Sequence, residues 1–86
     1  MTIEYRFTCA LKNGMHARPA SMAAEVVRRF VCEITIAKEG SGAPVDAKSI
    51  LSIIGLDVKL GDVCLVVARG VDAAAAVAAL KELVEG

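Results

Sequence analysis

The sequence predicts a two-layer α+β fold, with four strands in one sheet and three helices on one face. Three observations predict it. The 86 residues are 56% hydrophobic and 23% charged, which supplies one core and argues against disorder. Apolar spacing alternates along the chain between a period of two and a helical period. Glycine-rich or polar turns fall at several of those switches. The resulting order, β-α-β-β-α-β-α, suits a sheet buried under helices, and residues 1–86 are expected to form a single domain.

Ile3, Tyr5, Phe7 and Cys9 alternate with Glu4, Arg6 and Thr8, the pattern of a half-buried strand. Lys12-Asn13-Gly14 breaks it as a loop. Ala20, Ala23, Val27 and Phe30 then recur at helical spacing, with Glu25, Arg28 and Arg29 on the outside, giving a helix over roughly 17–29. Pro19 falls in its first turn, where a missing N–H costs nothing. Cys32, Ile34 and Ile36 alternate as a second strand. Glu39 to Gly42 reads as a turn and Ala43 to Asp46 as a short third strand. Pro44 cannot donate to a ladder, so that strand is expected at a sheet edge.

Ser49 is a good N-cap for a short helix over about 49–56. The competing reading of this isoleucine-rich run is a buried strand. Lys59 to Asp62 forms a turn, and the nearly continuous apolar run Val63 to Ala68 reads as a central strand. Asp72 is placed to cap the last helix, whose buried stripe is Ala73, Ala76, Val77, Leu80, Leu83 and Val84.

Composition narrows the function classes. Ten basic residues balance ten acidic ones, and three aromatic residues are too few for a base-stacking platform, so a nucleic-acid partner is not expected. The three cysteines are widely spaced and form no CxxC, which points to reduced, buried thiols and no metal site. No cofactor or P-loop motif occurs. The absence of a signal-peptide pattern or a membrane-length apolar run gives a cytoplasmic expectation without membrane insertion.

The informative stretch is Asn13-Gly14-Met15-His16-Ala17-Arg18-Pro19-Ala20. It sets the one histidine at the join between a glycine loop and a helix start. Backbone N–H groups at such a join are unpaired and favour anions. Arg18 adds a fixed cation with a forked donor set. An imidazole nitrogen can attack phosphorus near neutral pH, so the segment suits a phosphoryl group held reversibly on His16. Taken alone, a histidine is more often an ordinary surface or core residue, and Arg18 a solvated helix arginine.

The combination resembles a known family. Gly14 to Ala20 is similar to the active-site signature of HPr, the histidine-containing phosphocarrier of the bacterial phosphotransferase system. Asp46-Ala47-Lys48-Ser49-Ile50-Leu51 is similar to that family's second signature, around a regulatory serine. The resemblance spans essentially the whole chain. It implies an HPr-like open-faced β-sandwich with an antiparallel sheet ordered 1-4-2-3. It implies that His16 accepts phosphate through Nδ1 from phosphorylated enzyme I, that Arg18 stabilises it, and that an enzyme IIA domain receives it. It implies that Ser49 is the target of an HPr kinase/phosphorylase. The protein is then a phosphocarrier without turnover of its own.

Partner docking is expected to use apolar residues around the site, with Ala20, Ile50, Leu51 and Ile54 as candidates and Arg28 at the rim. Ile53 and Leu56 are expected in the core. The sequence departs from the family at Asp57, where a small residue, commonly glycine, is usual, and at Glu25 and Ser52, which bear on partner choice. The alternative is a mainly regulatory HPr-like binding protein acting through Ser49 phosphorylation and docking. The presence of His16 and Arg18 argues against it.

Overall fold

A computed structural model describes residues 1–85. The elements in chain order are β1 (Thr2–Thr8), α1 (Ala17–Val27), β2 (Glu33–Lys38), β3 (Ser41–Asp46), α2 (Ile50–Gly55), β4 (Val63–Arg69) and α3 (Ala73–Glu85). The strands form one antiparallel sheet in the order β1-β4-β2-β3. The fold class, element order and strand order therefore agree with expectation.

β4 is central because its apolar run is paired on both sides. Phe7 faces Cys64 across one ladder, and Ile36 faces Val66 across the other. β3 lies at the edge, where the missing N–H of Pro44 does least harm. The β2–β3 turn is shorter than the sequence suggests. Lys38 pairs with Ser41, leaving Glu39 and Gly40 as the turn, and Gly42 falls inside β3. Gly40 and Gly42 have φ of 81° and 83°, and the register slips between Ile36 and Lys38. The second glycine thus serves a strand irregularity instead of extending the turn.

α1 ends two residues earlier than expected. Arg28 still donates to the Ala24 carbonyl, but Arg29 and Phe30 reach only three residues back, to Val26 and Val27. The last turn has tightened. Phe30 is half-buried against the core beyond the helix. The helix-bearing side of the sheet buries Phe7, Ile34, Ile36, Cys64, Val66 and Ala68 against Ala20, Ala24, Val27, Ile53, Ala76 and Leu80. The short run at 50–55 is helical, with Ile53 as its buried residue.

Candidate phosphoryl-acceptor site

The site is built on a loop that is locked from below. Leu11 and Gly14 close a tight turn, with the Gly14 N–H donating to the Leu11 carbonyl at 2.9 Å. Gly14 takes a φ of 74°, and an added Cβ would overlap the Val58 carbonyl oxygen. The next residue, Met15, is buried and donates its N–H to that same oxygen at 2.8 Å. Close backbone approach is thus the reason for glycine at 14.

His16 follows in extended conformation as the N-cap of α1, and its side chain makes no capping bond. The imidazole is exposed. The Ala20 N–H is spent on the His16 carbonyl at 3.0 Å, and Pro19 has no N–H to offer. The amides left to meet an anion at this helix start are those of Ala17 and Arg18. The side chain of Arg18 is exposed on the same first turn.

An open cleft of about 510 Å³ lies beside the ring, lined by Lys12, Gly14, His16, Ile54, Asp57 and Lys59, among others. Lys12 and Lys59 give it cations, and Asp57 is its one carboxylate. Asp57 is also the one non-glycine residue with positive φ, 53°, among those described. That conformation at the end of α2 accounts for the glycine usual in the resembled family. Aspartate is one of the few other residues to tolerate it.

α2 carries the second cluster. Ser49 Oγ accepts the Ser52 N–H at 3.2 Å and so caps the helix as expected. Leu51 is 80% exposed, and Ile54 stands one turn on and is also exposed. Ile50 is only half-buried, so the adjacent pair Ile50 and Leu51 do not share one core. Ala20 is a correction: it is fully buried with Ala23, Ala24 and Val27, because helical phase points it into the core, and it cannot form part of an exposed docking surface. Arg28 is exposed but not simply solvated. Its Nε donates to the Lys48 carbonyl at 2.8 Å, while Lys48 Nζ donates to the Phe30 carbonyl at 2.7 Å. This reciprocal tie fixes the chain just ahead of Ser49 to the end of α1.

Leu60 was not singled out in the sequence, yet it is 59% exposed and lines the His16 cleft. The signal that could have found it is an apolar residue inside the polar turn Lys59-Leu60-Gly61-Asp62. Asp72 stands at the N-cap of α3 as expected, its carbonyl accepting the Ala76 N–H at 2.9 Å, while its carboxylate accepts the N–H groups of Val31 and Cys32 at 2.8 and 2.9 Å, and so ties α3 to the entry of β2. Those bonds, Val31 foremost, hold the Asp72 carboxyl below its ordinary value.

An exposed histidine at the N-cap position of a helix, beside two unpaired amides and a cleft lined by Lys12 and Lys59, is an arrangement that suits the class of proteins able to hold an anionic group on a side chain. Comparison with known proteins gives that class its family. Residues 3–86 match the family model described as PTS HPr component phosphorylation site. The phosphocarrier protein HPr from Bacillus anthracis is 36% identical, with 96% of each chain covered and a TM-score of 0.86. HPr-C-His from Thermoanaerobacter tengcongensis is 35% identical, with 96% of this chain and 91% of that one covered and a TM-score of 0.88. A multiphosphoryl transfer protein of Salmonella typhimurium is 32% identical over 79 residues, 91% of this chain. The chain spans about a fifth of the length of that relative. The chain belongs to the HPr family of the phosphotransferase system.

Proposed function

We propose that residues 1–86 act as one phosphocarrier domain, taking a phosphoryl group from phosphorylated enzyme I onto His16 and passing it to an enzyme IIA domain. The carrying observation is the exposed His16 ring, held at the start of α1 with no capping bond to occupy it. In the first transfer a ring nitrogen of His16 forms a bond to phosphorus as the donor's bond to phosphorus breaks. The electron pair of the broken bond returns to the donor. The second transfer runs the same way from His16 to the acceptor, so no net chemistry belongs to the carrier. The amides of Ala17 and Arg18 and the Arg18 guanidinium meet the new negative charge. The open cleft keeps that stabilisation modest, which suits onward transfer.

Leu51, Ile54 and Leu60 form the apolar part of the docking surface in this reading, with Ile50 at its base and Arg28 at its rim. An ATP-dependent kinase acting on Ser49 would transfer the γ-phosphoryl group to Oγ and release ADP. The new charge would lie on the helix that bears Leu51 and Ile54, and so oppose apolar docking.

Incubation with phosphoenolpyruvate and enzyme I tests the reading. One acid-labile phosphate per chain is expected, absent in His16→Ala. Arg18→Ala is expected to slow labelling by about tenfold, the equivalent of one charge-assisted hydrogen bond. Label that survives His16→Ala, or ATP-dependent labelling of Ser49 with none on His16, overturns it; the second result favours the regulatory alternative.

A further inference from the structure

We infer that Lys59 is a second cation for the phosphoryl group on His16, and that Asp57 holds it back while His16 is bare. This deepens the carrier reading and rests on it. The connection from α2 to β4 is held as a rigid frame beneath the site. Asp57 donates its N–H to the Ile54 carbonyl at 3.0 Å, and its own carbonyl accepts Lys38 Nζ at 3.1 Å. The Lys59 N–H donates to the Asp62 carboxylate at 2.8 Å, and the Asp62 N–H returns to the Lys59 carbonyl at 2.9 Å. Cys9 and Gly61 anchor the far end, through Cys9 N–H to the Asp62 carbonyl and Gly61 N–H to the Cys9 carbonyl.

That frame presses Lys59 against the active loop. Its Cα lies 3.2 Å from where a Cβ on Gly14 would stand, two residues from His16. Its backbone is fixed, it lines the same cleft as His16, and its flexible four-carbon stem gives the ammonium reach within that cleft. Its present partner is Asp57, with Nζ 3.6 Å from the carboxylate. Both side chains are more than 70% exposed, so the pair is weak and exchanges readily. A phosphoryl group offers about two negative charges and three acceptor oxygens against the single charge of a carboxylate. Once His16 carries it, the balance of attraction moves Lys59 away from Asp57. Lys12 shares the cleft but lies in the exposed part, Leu11 to Asn13, of the turn that Gly14 closes.

A partner-free experiment tests this. The chain is phosphorylated with phosphoramidate: the bond from phosphorus to a His16 nitrogen forms as the bond to ammonia breaks. Ammonia leaves with the electron pair, and the other ring nitrogen releases its proton to solvent. The second ionisation of the phosphoryl group is then followed by ³¹P NMR. Lys59→Met is expected to raise that ionisation by about half a pH unit, a nearby cation favouring the dianion. The difference should fade in high salt, which a merely structural effect would not do. Lys59→Arg should restore the unaltered value. Asp57→Asn, chosen because asparagine tolerates the left-handed backbone at 57, should lower the ionisation by freeing Lys59. Identical titrations of the unaltered chain and Lys59→Met overturn the role of Lys59, as does a shift confined to Lys12→Met. A normal value in Asp57→Asn overturns the restraining role of Asp57. Absence of any phosphohistidine signal from the unaltered chain overturns the carrier reading itself.

Discussion

At Gly14 two requirements meet in one residue. Its φ of 74° is costly for any residue with a Cβ, and the Val58 carbonyl occupies the place a Cβ would take. Gly14→Ala is therefore expected to lose at least about 2 kcal/mol, from the left-handed conformation and the overlap together. A urea midpoint measures it, and an unchanged midpoint would mean that the turn does not depend on glycine. Labelling of His16 should fall as well, since relief of the overlap must pull Met15 from the carbonyl that positions it. The placement of His16 and Arg18 together at the start of α1 was legible in the sequence because it is local: cap, loop and first turn are consecutive residues. Ala20 shows the limit of a motif. Its helical spacing with Ala23 and Val27 already pointed inward, and the structure follows the spacing. Asp57, Lys59 and Leu60 come from a segment some forty residues further along. Only tertiary packing of Val58 against Gly14 and Met15 brings them to the ring.

α2 has six residues, too few for helical hydrogen bonding to carry it unaided. Its cap therefore matters more than in a long helix. Ser49→Ala removes the acceptor for the Ser52 N–H and is expected to cost about 1 kcal/mol, read from thermal or urea unfolding. Ser49→Asp keeps an acceptor at the cap and should unfold close to the unaltered chain. Equal stability of all three would show that Ser49 Oγ holds nothing in place. The same element settles an ambiguity of the sequence. An isoleucine-rich run cannot be assigned to helix or strand from its apolar content, and the capping serine decided for helix. Strand positions were partly legible by the same kind of local signal, Pro44 marking an edge and the run from Val63 a centre. The β2–β3 turn was not, because its register depends on pairing with Lys38 and on the slip near Ile36, which no single segment encodes.

Across the whole molecule the order β1-β4-β2-β3 depends on pairing between the two ends of the chain, such as Thr2 with Arg69. Spacing alone gives the elements and which faces are buried. The order was anticipated through the family resemblance. What spacing did foretell is one core shared by all seven elements, and the three cysteines report on it. Cys9, Cys32 and Cys64 are all buried, Cys64 completely, in the central strand. Burial is the main force that pushes the Cys64 thiol up to about 11 from its ordinary 9.0, and it raises Cys32 as well. A thiol raised on folding stabilises the folded chain below its unfolded value, and that contribution is lost as pH climbs through the folded one. The urea midpoint is thus expected to fall between pH 9 and pH 11, with Cys64→Ala losing less across that interval. At pH 8 an aromatic disulfide reagent should find these thiols only through opening of the structure. Labelling should then run at least about 100-fold slower than in urea, with Cys64 last because its strand is paired on both sides. Rapid labelling of Cys64 in the folded chain would mean that the sheet opens locally at its centre. In that event the frame that carries Val58 and Lys59 to His16, which leads directly into β4, would open with it.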